Sequence, residues 1–287
     1  MNNFAIFITT HERSQSQLSL SALRNGGYTG KIYLIIDNED RQINDYKKYI
    51  NENTEILIFD KKKIASVSDC FISFNLNDIP KAVLFARIAC EDFAKKLKLK
   101  YFMVMDDDIK KLSYRICTKN NKLSEINMFN FNEVCEAYCN YLEDAKIAML
   151  GCGNETSYFG GIKCFESDCQ RRCFNIFFRN VSIDFSWISA MNEDYISSIQ
   201  NGKIGKIIFE LKIIKLIAEV ANKNNHGNII GGMAEYYKKT TDYERSFYAV
   251  IANPSCSYVT LSQKNKMIIT SKWNNAIPKI ISDKYKK

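Results

Sequence analysis

The segment Tyr101-Phe102-Met103-Val104-Met105 is unbroken apolar chain, and it ends abruptly in Asp106, Asp107 and Asp108. So apolar a run reads as a strand buried on both faces, which belongs inside a sheet flanked by helices. Such a strand delivers its C-terminal residues to the sheet edge where α/β proteins place their ligands. Adjacent carboxylates at that edge repel one another and call for a cation or a cationic partner. A divalent metal carrying phosphate groups meets that need. The plainer reading is a solvated acidic turn leading into Lys110-Lys111.

The chain before this segment alternates strand and helix. Phe4 to Thr9 is a short apolar run, followed by a polar loop through Arg13 and a helical stretch over 18–25 that Gly26-Gly27 closes. Lys31 to Ile36 is a second strand ending at Asp37, residues 40–49 read as a helix, and Glu55 to Phe59 is a third strand ending at Asp60. Pro80 opens a long helix in which Ala82, Phe85, Ala89, Phe93 and Leu97 form one apolar stripe. This order predicts an α/β fold with a mostly parallel central sheet and helices on both faces. Its strand ends would gather Thr9, Thr10, His11, Arg13, Asp37, Asp60 and the aspartates on one edge.

The second half is less regular and is expected to be mixed α+β. Helices are predicted over 133–145, 193–200 and 206–222, the last with Ile207, Leu211, Ile214 and Ala218 toward a core. Strands are predicted over 146–150, 171–179 and 187–191. Residues 236–248 interleave aromatic and basic side chains, which suits a nucleic-acid surface or a half-buried strand with a lysine edge. With only 3 prolines and 12 glycines in 287 residues, no linker separates the halves, so a single domain is expected.

The 10 cysteines contain no CxxC pair and read as free thiols of a reducing compartment. Neither a signal peptide nor an apolar run of ~20 residues is present, so the chain reads as cytosolic, without a membrane partner. The net charge of +8 fits an anionic partner, although the wealth of Lys, Asn and Ile also fits an AT-rich coding sequence. Lys61-Lys62-Lys63 and Arg171-Arg172 would add to a surface for an anionic acceptor.

Asp106 and Asp108 share one side if the strand continues through them, because side chains repeat every second residue. Both could then reach one hard cation bridging two phosphates, with Asp107 turned away. Arg87 lies upstream in the preceding helix, within ARIACEDFAKKLKLKYFMVMDDDI. This pattern resembles the TET-associated DNA glycosyltransferases, phage enzymes of the GT-A fold that place sugars on hydroxymethylated pyrimidines such as hydroxymethylcytosine. Further marks follow in order: Thr9, Thr10 and Arg13 after the first strand, then Asn192-Glu193-Asp194-Tyr195 with Gly202. Gly231-Gly232, Tyr236 or Tyr237, and Pro254 complete the series.

The resemblance implies a single GT-A-like domain, with residues 1–110 as the nucleotide-sugar half and 111–287 as the acceptor half on the same sheet. It implies Asp108 as the firmest ligand of Mn²⁺ or Mg²⁺, Asp106 as a ligand or ribose contact, and His226 as a candidate third ligand. Thr9, Thr10, Arg13, Asp37, Arg87, Asp106 and Asp107 would hold the donor, expected to be a UDP-sugar. Asp194, ahead of Glu193, would be the general base for an acceptor hydroxyl on DNA in the host cytoplasm. Each residue also has an ordinary reading. Arg87 could pair with Glu91 in solvent, Thr10 or Ser14 could cap a helix, Glu193-Asp194 could answer a helix dipole, and His226 could be a loop histidine. A surface-polysaccharide glycosyltransferase, a nucleotidyltransferase and a non-catalytic nucleic-acid-binding module stay open as alternatives.

Overall fold

The computed structural model describes residues 3–68, 79–80, 82–158, 161–165, 172–219, 240–262 and 265–276. The chain builds β1 (Phe4–Thr9), α1 (Leu18–Asn25), β2 (Ile32–Asp37), β3 (Thr54–Phe59), α2 (Lys61–Val67), α3 (Val83–Lys96) and β4 (Tyr101–Asp106). Next come β5 (Ile109–Cys117), β6 (Leu123–Asn127), α4 (Phe131–Asp144), β7 (Ile147–Gly153), β8 (Ile176–Asn180), α5 (Glu193–Lys203) and β9 (Ile207–Ala218). A helix α6 (Asp242–Ala252), the hairpin β10 (Ser257–Leu261) and β11 (Met267–Ser271), and α7 (Trp273–Ala276) finish the described chain.

One 9-stranded sheet runs β3-β2-β1-β4-β8-β7-β9-β5-β6, with β8 and β5 directed against the other strands. The expected α/β architecture, one sheet with helices on both faces, is thus the one formed, and strands from both halves share the sheet. Alternation along β1 and β4 explains the layering. Ile6, Ile8, Met103 and Met105 pack with Leu23 of α1 and Phe131, Cys135 and Leu142 of α4 on one face. Phe7, Phe102 and Val104 pack with Phe85, Ala89 and Ala94 of α3 on the other. Each such fully buried side chain contributes about 1.5–3 kcal/mol, which makes β4 a rigid seat for the aspartates at its end.

Several expectations need correction. Residues 207–218 form a strand, not a helix: β9 pairs parallel with β7 and antiparallel with β5. Its buried side alternates Ile208, Glu210, Lys212, Ile214 and Leu216, and the two charges on that side hide the period-2 pattern. Residues 187–191 lie outside the sheet, where Trp187 fills the core beneath α3. The predicted strand over 171–179 starts only at Ile176. Helix α3 begins at Val83, after Ala82 in extended conformation, and Leu97 of its predicted stripe is exposed. Residues 242–248 are helical rather than strand. Asp60 is the N-cap of α2, accepting from Lys63 N at 2.9 Å, and Lys61 is buried, so it adds nothing to a basic surface. The described cysteines are free, and all but Cys117 are buried. No helix among the described residues is long and apolar enough to cross a membrane.

Candidate active site

The parallel pairing of β1 with β4 sets Thr9 beside Asp106, so the loop after β1 and the aspartate turn share one sheet edge. A cleft of about 400 Å³ opens there. The strand ends at Asp106, and Asp107 and Asp108 form a turn, so strand alternation does not set their directions. Instead α1 holds the turn. Buried Ser19 donates from its hydroxyl to the Asp106 carbonyl and accepts from Ile109 N at 2.9 Å.

Each aspartate has a different environment. Asp106 accepts from Asn175 Nδ2 at 2.9 Å and from Thr9 Oγ1 at 3.5 Å. Asp107 accepts from Thr10 Oγ1 at 2.6 Å and from Arg13 Nη1 at 2.7 Å. Asp108 lies 3.7 Å from the same Arg13 nitrogen, and its Oδ1 is buried without a hydrogen-bond partner. Burial, followed by the neighbouring carboxylates and opposed by Arg87, pushes Asp106 up to about 7. Asp107 and Asp108 are raised for the same first reason, against the pull of Arg13.

The far wall comes from α3, α5 and the segment before β8. Arg87 is buried and its Nη1 meets Glu193 Oε1 at 2.7 Å. Its guanidinium carbon lies 5.1 Å from the Trp187 ring centre and 5.4 Å from that of Phe177, and its Nε has no hydrogen-bond partner. The solvent pair with Glu91 does not form, because Glu91 receives Arg179 Nε at 2.7 Å instead. Glu193 is raised above the ordinary glutamate value, mainly by burial and then by Asp194, against the pull of Arg87. Asp194 accepts from Arg172 Nη1 at 2.8 Å.

At the end of β2, His11 Nδ1 and Asp37 Oδ2 are 2.6 Å apart, and Glu39 N donates to Asp37 Oδ1 at 2.9 Å. Burial pushes the Asp37 carboxyl up, but the bond and charge of His11 outweigh it and leave the group below its usual value. Neither Thr10 nor Ser14 caps α1, whose first turn follows Gln17.

The cleft therefore brings together Thr9, Thr10, Arg13, Asp37, Arg87, Asp106, Asp107, Asp108, Glu193 and Asp194. His226, Gly231, Gly232, Tyr236 and Tyr237 lie outside the described residues. Phe59, Phe174 and Asn175 also line the cleft although no motif marks them as site residues, and Lys61 and Arg172, expected in a surface for an anionic acceptor, line it too. The signal for residues 172–175 is topological. Because β8 runs antiparallel to β4, it brings its beginning, rather than its end, to the ligand edge.

Among the described residues no three His, Cys, Asp or Glu side chains are arranged to hold an ion. The donor chemistry of Asp106 and Asp108 nonetheless fits a hard cation. Both are oxygen ligands, one oxygen is orphaned, and such ions take remaining ligands from phosphate and water.

Solved structures give distant likenesses. Residues 1–349 of S. aureus TarS in complex with UDP share 10% identity over 77% of this chain and 61% of that chain, with a TM-score of 0.41. Glucosyl-3-phosphoglycerate synthase from Mycobacterium tuberculosis, in complex with Mn²⁺, UDP and phosphoglyceric acid, shares 6% over 94% of this chain and 86% of that one, with a TM-score of 0.43. Mouse xyloside xylosyltransferase 1 shares 10% over 62% and 67%, with a TM-score of 0.34. At these values the likenesses bear on neither substrate nor mechanism. No curated protein sequence is significantly similar to the chain. The model of one protein family, TET-Associated Glycosyltransferase, does match, over residues 4–228. With most of its length matched, its strand–aspartate edge and its α5 carboxylates inside the matched region, the chain belongs to the TET-associated glycosyltransferase family.

Proposed function

We propose that the chain moves a sugar from a nucleotide-sugar to the hydroxyl of a hydroxymethyl-type pyrimidine base in DNA. One observation carries the reading: a crowded carboxylate turn and two arginine-clamped carboxylates of α5 line the same cleft. Residues 1–110 form the donor side and the later strands and helices the acceptor side. Thr9, Thr10 and Arg13 order the turn beside the nucleotide, and the His11–Asp37 pair lies toward its base and ribose. Asp106 and Asp108 would hold Mn²⁺ or Mg²⁺, which when bound neutralises charge on the departing diphosphate. The unpartnered Nε of Arg87 is available to a phosphate oxygen, and stacking on Trp187 keeps the guanidinium in place. Glu193, whose proton affinity burial has raised, is the better base for the acceptor hydroxyl. Asp194, the residue favoured by the sequence alone, is clamped by Arg172 as Glu193 is by Arg87, so proton affinity rather than pairing makes the choice.

The test is a donor screen. The protein is incubated with Mn²⁺, a panel of nucleotide-sugars that includes UDP-sugars, and DNA carrying hydroxymethylated pyrimidines, and nucleotides and digested nucleosides are read by mass spectrometry. The expected result is nucleoside diphosphate release with one sugar added per modified base. Transfer to saccharide polymers but not to DNA would overturn the acceptor, and pyrophosphate release would indicate nucleotidyl transfer. DNA binding with no donor consumed would leave a non-catalytic binding module.

A further inference from the structure

Residues 172–175 cross the cleft as a strap between its two carboxylate groups. At one end Arg172 grips Asp194 at 2.8 Å, and at the other Asn175 donates to Asp106 at 2.9 Å. Asn175 adopts the left-handed conformation (φ 61°), which turns the chain into β8. Cys173 anchors the middle, with its Sγ 3.0 Å from the Phe209 carbonyl, and it packs on Gly151. Phe174 therefore sits between the metal-ligating turn and the base on α5, where a donor sugar and an acceptor hydroxyl have to meet.

The Arg172 guanidinium carbon is 4.4 Å from the Phe174 ring centre and 4.1 Å from that of Tyr195. Tyr195 in turn stacks on Trp273 at 5.8 Å and 18°. Phe174 thus ends a ladder of planar groups fixed from behind. With one face near the guanidinium, the ring is half-buried and lines the cleft. A rigid flat apolar surface, electron-rich and next to a base, is what a planar aromatic acceptor needs.

We propose that Phe174, backed by Arg172, is the stacking platform for the acceptor nucleobase, holding an extruded pyrimidine with its hydroxyl toward Glu193. This rests on the DNA-base reading above and adds the residue that receives the base. Extrusion from a duplex costs unstacking, and a new stacking partner offsets that cost.

Two readouts keep platform and reaction separable. The first needs no chemistry: a single-stranded DNA oligonucleotide carrying pyrrolocytosine, a fluorescent cytosine analogue dimmed by stacking, is titrated with wild type, Phe174→Leu and Phe174→Tyr. Wild type and Phe174→Tyr are expected to quench it, and Phe174→Leu, which keeps apolar bulk without a flat face, is expected not to. The second is steady-state transfer, in which Phe174→Leu raises KM for DNA about ten- to a hundredfold and Phe174→Tyr restores it. Absence of quenching by wild type, or equal quenching by all three folded proteins, overturns the platform. Normal, Phe174-dependent quenching with no sugar transferred by wild type leaves the platform standing and overturns the reaction instead.

Discussion

Three adjacent aspartates look alike in a sequence, but their surroundings divide their work. Asp107 has both oxygens engaged, by Thr10 and Arg13, and is a structural counter-ion. Replacing it by Asn leaves Arg13 poorly compensated, and we expect a loss of about 1–3 kcal/mol in urea unfolding. Asp108 is the reverse case, with an orphaned buried oxygen and like charges around it. Asp108→Asn relieves that repulsion, so the metal-free thermal midpoint should hold or rise, by roughly 2–4 °C per kcal/mol gained. The midpoint shift caused by Mn²⁺ with a nucleotide-sugar should disappear in the same variant. Asp106 adds a pH signature, since burial moves it from the usual 3.8 to about 7. Between those values the folded chain keeps a proton that the unfolded chain has released, so stability falls as pH rises through the window. Thermal midpoints of metal-free protein should decline from about pH 4 to pH 7 and level off above it, and Asp106→Asn should flatten that decline.

At the level of elements, legibility tracks local pattern. Strand β4 and its acidic end can be read because one apolar run and one charge cluster are contiguous. Helix α3 is legible, and local spacing leaves Arg87 between the cleft and a solvent pair with Glu91; what decides is Arg179, which takes Glu91 from a distant strand. Strand β9 reads as a helix because Glu210 and Lys212 point inward among isoleucines, and because what receives them, such as the Cys164 carbonyl that accepts from Lys212, and the partner strands β5 and β7 are distant in sequence. The strap is invisible in the sequence because its role depends on the direction of β8. Its anchor is testable. A Cβ on Gly151 would meet Cys173 Sγ at 2.8 Å and the Cys173 backbone at 3.3 Å, so Gly151→Ala must displace the strap. A shift of about 1 Å at a reacting centre costs up to about a hundredfold. Gly151→Ala should therefore lower kcat for transfer while donor affinity, measured by calorimetry, stays within about threefold.

On the scale of the whole molecule, the carboxylates of α5 are held from two sides. Arg87 and Arg172 grip them from within the sheet domain. From outside, α6 and α7 pack on the same helix, with the β10–β11 hairpin against α6, and these elements lie past residue 228, where the family match stops. Asn192, the left-handed residue that precedes α5, donates to the Arg245 carbonyl at 2.5 Å. Gln200 and Lys203 reach Asn253 at 2.9 and 3.1 Å, and Trp273 joins Ile199, Cys256 and Ala276 in a small core while stacking on Tyr195. The small core of these elements forms against Ile199, so their packing helps to fix α5. Trp273→Ala removes both the core contact and the end of the planar ladder. Hydrogen exchange should then quicken in the first turn of α5 but not in β1 or β4, which share a separate core. Transfer to DNA should fall about tenfold or more, while donor binding at the far edge of the cleft stays unchanged. Equal loosening of β4 would mean instead that the module supports the whole sheet, and a wild-type transfer rate would remove it from the acceptor side.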